Sequence, residues 1–471
     1  MRINQSSYVL LALLFGVSFY FGLSSYGLLN NNEGMYAEIA WETLADGNII
    51  IPHLNGVPYI EKPPLLYWLI ALSFKVFGKS VFAARLIPAT FGALTCLSLL
   101  CFGHSRKKSM QGFLSAIILA SSMGFIIFSR MVFFDGILTA FLTWSLLSFY
   151  KFYEDGRKVF IRIFFVCAAL AALTKGLVAL VLLGVVVLIF LGVQRDLKFT
   201  VKMLDPISIG LFLIIFMPWH ILASLREENF FWFYFINEHV LRFFSKREPH
   251  DYYSGPLYYY LPRLAGYLVP WIFSMPFFIR KAYHKKDSSV HTFLMVWFFI
   301  FLVFFSVSQA KANYYMMVGL PPLALWMASF LENYPHKENI LKISAGISVL
   351  LTLGSIYYMK VKDDPFSMKK VSEILKNTPK PVYLYKRFEE LSSLPFYLGR
   401  KVPILESQSY DLLYGKVNRP DSPIFVTKED IKPHGFIVVY KGDLSEFSNV
   451  FADLYKPLYD GKTYTIFENM R

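Results

Sequence analysis

An α-helical protein that crosses a membrane many times is the fold class this sequence predicts, and three observations predict it. The first is apolar content: 55% of the 471 residues are hydrophobic and only 17% are charged, giving a mean hydropathy of +0.44. A soluble core of this length needs far less apolar surface. The second is how that content is distributed. Runs 8–23, 177–191 and 293–307 are nearly free of charge, and membrane spans explain them best. The third is where the charges fall. The 47 Lys+Arg against 33 Asp+Glu give +14, a balance that would suit nucleic-acid binding in a soluble chain. In a polytopic protein, basic cytoplasmic loops account for it.

Each span follows from a stretch of about 16 to 23 residues. They are drawn at 7–29, 81–103, 110–129, 132–150, 159–174, 177–193, 203–223, 258–280, 290–307, 314–331 and 340–359. The shorter apolar piece 63–77 reads as re-entrant or interfacial. The amino-terminal run follows Arg2 and has no small-residue cleavage site, as in an uncleaved signal anchor. Cys96, Cys101 and Cys167 all fall inside spans without metal-ligand spacing and read as small core residues.

Placing the amino terminus in the cytoplasm puts the basic stretches 106–108, 151–158, 195–202 and 280–286 on that side together, as the positive-inside rule requires. The remaining charges then emerge opposite: the loop 30–66, residues 130–135, Lys175, the loop 224–257 and residues 309–313. A transporter or flippase more often carries its charges near mid-membrane on broken, repeated helices. Charges converging on the outer face suit an enzyme acting on a lipid-borne substrate there. After residue 360 the composition turns mixed and charged. The division expected is a membrane domain 1–360 and a small extracytoplasmic α/β domain 361–471, of ordinary domain size. Within the latter, 366–377 has helical spacing, and 381–386, 423–427, 436–440 and 464–467 read as strands.

The loop 30–66 is the longest polar interruption in the first third of the chain. Glu33, Tyr36, Ala37 and Ala40 stand at helical spacing, which predicts an amphipathic helix along the membrane surface. Its acids either face water or form a site. Glu61-Lys62 precedes Pro63-Pro64, which holds the pair at the interface as a salt-bridged anchor or as part of a site. Asp135 opens a span and reads equally as a helix cap. Lys175 in its short turn reads as a snorkelling cation. Lys311, with Tyr314 and Tyr315, reads as an interfacial belt. His239 reads as a hydrogen-bonded structural residue.

The order of these features changes the balance. The stretch NEGMYAEIAWETLADGN…IPHLNGVPYIEKPPLLYW, followed by Phe134-Asp135, Leu173-Thr174-Lys175-Gly176, Asn237-Glu238-His239, Tyr258 to Pro262, Pro270-Trp271 and Ser306 to Tyr315, closely resembles the protein O-mannosyltransferase superfamily. The nearest likeness is to the lipid A aminoarabinose transferases and related bacterial integral-membrane glycosyltransferases, and it covers roughly residues 5–335. The resemblance implies a C-type glycosyltransferase bundle of about 11–13 spans with interfacial helices. It further implies a polyprenyl-phosphate-linked sugar as donor, an envelope lipid, glycan or protein as acceptor, and a bacterial inner membrane as the location. In that chemistry negative charge grows on the departing phosphate, which fixed cations stabilise. Lys62, Lys175, Lys311 and Arg242, with Tyr315, are the expected donor-phosphate residues. Glu33 and Asp135 are the candidate general bases.

Two departures from the family pattern stand out. The usual Asp-Glu pair reads Asn32-Glu33, and an amide cannot act as a base; a phosphate acceptor would not require one. Met35 stands where the aminoarabinose branch has a basic residue, which argues against assuming that sugar. Asn32 also raises the alternative of a catalytically weakened binder of lipid-linked glycans. Glu61 and His239 match positions that hold zinc in the aminoarabinose branch, a donor pair suited to that ion. No other cofactor and no nucleic acid is implied.

Overall fold

The protein is described from a computed structural model over residues 5–244, 246–249, 254–283, 288–363, 365–451 and 454–470. Arg2, residues 284–286 of the expected basic loop and parts of the loop 224–257 lie outside the described residues. The chain divides into two compact units. One comprises Met1–Phe21 and Leu86–Ser355, the other Gly22–Arg85 and Ile356–Arg471. The first outer loop therefore belongs to the same unit as the carboxy-terminal region, a grouping that hydropathy gives no hint of.

The first unit is a helix bundle. Pro206–Arg226, Ser289–Val307 and the bulk of Val81–Ser105 and Lys337–Val361 are long and apolar enough to cross a membrane, as is Asn313–Leu331, whose first turns (Asn313–Gly319) are 3-10. Ser109–Ala120 and Met123–Ser129 are long and apolar enough only as a pair, which is bent by 69°. Phe134–Asp155 and Lys158–Lys175 pack along each other. They are joined through Gly156, whose left-handed backbone ends the first helix. The rings of Phe149, Tyr150, Phe190 and Phe293 fill the space beside them, with Tyr150 stacked on Phe293 at 4.8 Å.

With the bent pair at 110–129, three expected spans are shorter or broken. The first helix runs Gln5–Phe15 and continues only to Tyr20. The stretch 258–280 is divided into Tyr260–Tyr267, Trp271–Ser274 and Met275–Tyr283. Pro270 lacks the N–H that a continuous helix would need there. Cys96 and Cys167 are buried as expected, whereas Cys101 is exposed on its helix.

The ion pairs of the bundle order its ends. Arg106 pairs with Glu154 at 2.9 Å and Lys151 with Asp155 at 2.9 Å, while Lys158 and Arg162 approach Asp205 at 3.5 and 3.6 Å. The basic stretches 106–108 and 151–158 and the Asp205 turn after 195–202 thus lie at one end, as the charge rule predicts. Asp135 begins the 22-residue helix whose other end carries Glu154. A rise of about 1.5 Å per residue puts roughly 33 Å between those ends, a bilayer's hydrocarbon thickness.

The second unit holds a six-stranded sheet and the first-loop elements. A hairpin of β1 (His53–Leu54) and β2 (Val57–Pro58) follows the helix Asn32–Ala45. The 13-residue helix Leu65–Phe77 comes next and is too short to span, as expected. The sheet contains β3 (Val382–Tyr385), β4 (Ile404–Leu405), β5 (Phe425–Val426), β6 (Phe436–Tyr440), β7 (Tyr455–Asp460) and β8 (Tyr464–Asn469), in the order β5-β4-β3-β6-β8-β7. Its first four strands are parallel, while β8 runs antiparallel to both β6 and β7. All four residues of β3 are buried, as a central strand covered on both faces requires. Tyr385, Ile437, Val439, Phe447 and Phe467 centre its core.

The acids of the loop helix do not face water: Glu33, Glu38 and Glu42 are all buried. Carboxy-terminal residues cover the helix. The Asn31 N–H donates to the Glu389 carbonyl at 2.9 Å, and the Ser393 hydroxyl donates to Asn30 Oδ1 at 2.7 Å. A surface amphipathic helix was the expectation. The covering segment, with Ser393 lying 363 residues on from Asn30, is what the loop's own pattern cannot record.

Candidate active site

In the bundle, the end opposite the basic loops gathers a compact ionic group. Lys175 closes the last turn of Lys158–Lys175, and Asp135 lies in the first turn of Phe134–Asp155. Each charge complements its helix dipole. The two meet at 2.7 Å, with Lys175 12% exposed and Asp135 2%. Asp135 is not the cap of its helix, since Phe133 occupies that position. The Lys175 ammonium also sits 4.0 Å from the centre of the Tyr315 ring and 5.7 Å from that of Tyr314. Arg242 is near enough to act on Lys175 electrostatically.

The π-helical segment Phe231–Leu241 brings in further charges. Glu238 accepts from Arg242 at 3.0 Å and pairs with Arg247 at 2.5 Å. His239 Nδ1 donates to the Tyr234 carbonyl at 2.6 Å. Its other nitrogen packs against Gly176, where an added Cβ would lie 1.9 Å from it. Gly176 also has φ of +80°, so the Lys175 turn admits only glycine at that position. Lys311 differs from the other expected cations. Its ammonium donates to the carbonyls of Phe305, Ser306 and Ser308 at 3.4, 2.8 and 2.6 Å, tying off the end of Ser289–Val307.

In the loop unit, Tyr36 Oη donates to Asn32 Oδ1 at 3.0 Å. Glu61 receives Tyr59 Oη at 3.4 Å and pairs with Lys62 at 3.6 Å, and Lys62 also reaches the Glu61 carbonyl at 3.2 Å. Burial and the neighbouring Glu61 charge push the Tyr59 phenol well up, so it stays a neutral donor. Glu33 occupies a different setting. Its carboxylate accepts from Arg85 Nε at 2.9 Å and Nη2 at 2.6 Å, and both side chains are wholly buried. The other Arg85 donors go to the carbonyls of Leu23, Tyr26 and Gly27. Arg85 is a residue the sequence reading passed over, although a lone arginine within an apolar run is a recognisable signal.

Among the described residues no group of three or more His, Cys, Asp or Glu is placed to hold a metal ion. Glu61 and His239 fall in different compact units.

A family model for dolichyl-phosphate-mannose-protein mannosyltransferase matches residues 61–222. An undecaprenyl phosphate-alpha-4-amino-4-deoxy-L-arabinose arabinosyl transferase of Pseudomonas paraeruginosa is 28% identical over 381 residues, 78% of this chain and 68% of the relative. Its counterpart in Pseudomonas aeruginosa is 29% identical over 375 residues, 76% and 67% of the two chains. Over about three quarters of its length the chain is thus similar to membrane glycosyltransferases that include the aminoarabinose transferases. Solved structures share its fold. ArnT from Cupriavidus metallidurans bound to undecaprenyl phosphate superposes with a TM-score of 0.87 at 18% identity, covering 99% of both chains. An Archaeoglobus fulgidus oligosaccharyltransferase shares the fold more distantly, with a TM-score of 0.54 at 12% identity over 98% of this chain and 73% of its own.

Proposed function

We propose that the protein moves a sugar from a polyprenyl-phosphate donor to an envelope lipid at the outer face of a bacterial inner membrane, with inversion. The observation that carries this reading is the Lys175 group. A largely buried ammonium is held between a carboxylate and a tyrosine ring, with Arg242 acting on it, at the bundle end away from the basic loops. A phosphate monoester leaving an anomeric carbon gains charge as the C–O bond breaks, and preorganised cations in a low-dielectric setting stabilise that charge. Asp135 positions Lys175, and Arg242 supplies a second positive group. Lys62 of the loop unit is assigned the same phosphate chemistry from its family position.

The acceptor oxygen forms the new bond to the anomeric carbon. Asn32 cannot take a proton from it, Glu33 is engaged by Arg85, and Asp135 is engaged by Lys175. An acceptor that is already ionised, such as a phosphate monoester on a lipid headgroup, needs no base and fits this set. Met35, standing where the aminoarabinose branch has a basic residue, favours a sugar without a charged amine.

The test is mass spectrometry of envelope lipids from cells carrying the wild type or Lys175→Ala. Loss of a single sugar adduct in the variant, with the protein still folded in the membrane, is expected. An unchanged adduct would contradict the assignment.

A further inference from the structure

A bowl of about 470 Å³ lies within the second unit, and none of the charged candidate residues described above lines it. One wall is the β1–β2 hairpin and the other is the turn 418–422 that follows the short helix Leu413–Asn418. Its volume falls in the usual small-ligand range of roughly 300–1,000 Å³. Two hollows elsewhere, at 94–163 and 7–349, are walled mainly by aliphatic and aromatic side chains. Polar groups line this one: His53, Asn418, Arg419, Asp421 and Ser422, over a floor that includes Pro58.

Both walls are fixed in place. The hairpin pairs His53 with Pro58 and Leu54 with Val57. Asn55 and Gly56, at φ of 52° and 87°, make the two-residue turn between them. The buried Asn55 amide exchanges two 2.8 Å hydrogen bonds with the Val402 backbone, and the Gly56 N–H donates to Glu42 at 2.9 Å. Val57 packs so closely on Gly415 that a Cβ there would come within 2.5 Å. The opposite turn is closed by the Ser422 N–H donating to the Arg419 carbonyl at 3.1 Å. Arg419 Nη1 donates to the Asn418 carbonyl at 2.9 Å, and His53 Nδ1 to the Ile51 carbonyl at 2.9 Å, which orients both groups.

The lining charges balance, one guanidinium against one carboxylate with a histidine beside them, so a simple anion or cation is poorly matched. The lining offers both donors and acceptors instead, as hydroxyl groups that both give and receive hydrogen bonds require. Pro58 ends β2 only four residues before Lys62, a reach of at most about 14 Å of chain. We propose that this bowl is a saccharide subsite, which holds the hydroxyl-rich glycan of the acceptor within reach of the Lys62 loop. The acceptor part of that statement rests on the glycosyltransfer reading above; the saccharide part does not.

The test is direct titration of the full-length detergent-solubilised protein with N,N′-diacetylchitobiose, with glycerol and inorganic phosphate as controls. Saturable binding of the disaccharide alone is expected. Arg419→Ala and Asp421→Asn, both at exposed side chains, should each weaken it about tenfold, and Ser422→Trp, which fills the bowl, should abolish it. Donor-lipid binding should stay unchanged in all three. Phosphate binding as tightly as the disaccharide, or variants that bind like wild type, would overturn the subsite. A second arm adds vesicles bearing a glycolipid. Competition with the soluble disaccharide supports a lipid-borne source, and absence of competition overturns the acceptor assignment. Because binding is read without turnover, a bowl that binds in a protein that transfers nothing counts against the enzyme reading alone.

Discussion

Replacing Glu33 with Gln separates a structural from a chemical role for the most conspicuous acid of the first loop. The carboxylate takes two hydrogen bonds from Arg85, and neither side chain has any exposed surface. Glutamine is isosteric, but it leaves the guanidinium charge buried without its counter-ion and can turn an amide N–H toward a donor. Breaking a buried pair in this way typically costs about 3–5 kcal/mol. Against an ordinary stability of about 5–15 kcal/mol, that is roughly a fifth or more of the margin. At about 3 °C per kcal/mol for a domain of this size, the midpoint should fall by roughly 10–15 °C. Arg85→Met should cost at least as much, since it also strands the carbonyls of Leu23, Tyr26 and Gly27. A double-mutant cycle should return a coupling of several kcal/mol. Thermal unfolding in detergent, followed beside sugar transfer below the lowered midpoint, reads both effects. Transfer should persist in Glu33→Gln at the lower temperature. A variant as stable as wild type but without turnover would refute the anchor role and return Glu33 to the chemistry.

Acid groups elsewhere in that unit make its stability depend on pH. Burial pushes Glu38 up to about 8 and Glu42 up to about 7 from the ordinary 4.5, although Lys79 and Lys401 pull down and Asp46 pushes up. The folded state then holds more protons than the unfolded one between about pH 4.5 and 8. Stability therefore falls as pH rises through that window and levels off above it. Glu38→Gln should flatten the fall, and a melting midpoint that rises with pH over the same range would contradict the burial argument. Lys311→Met should lower the melting midpoint by leaving three carbonyls at a helix end unpartnered, at about 1–3 kcal/mol, while sparing donor affinity. Loss of donor affinity without loss of stability would restore its phosphate role.

Much of the bundle was legible because period and charge are local properties of a chain. Two of the basic stretches that the inside rule grouped, 106–108 and 151–158, are tied together by Arg106–Glu154, and Lys158 reaches Asp205 just beyond a third. The strands at 381–386, 423–427, 436–440 and 464–467 were readable from their β-branched and aromatic runs. β4 has only two residues, and β7 carries Lys456, Pro457 and Asp460 on an edge, so neither offers a pattern. Pro270 could have divided 258–280 beforehand. Lys175 and Asp135 were identifiable as candidates, but their contact depends on two helices lying side by side. Least legible was the loop helix. Whether Glu33, Glu38 and Glu42 meet water is decided by residues such as Ser393, far along the chain, and no local period records that cover.

The cations at the bundle end away from the basic loops are proposed to grip the donor's phosphate. Binding of undecaprenyl phosphate to purified wild type, Lys175→Ala and Lys175→Arg measures it most directly. Loss of about 2 kcal/mol of binding in the alanine variant, about thirtyfold in Kd, with partial recovery by arginine, is the predicted result. Equal affinity in all three proteins, each folded, would contradict it.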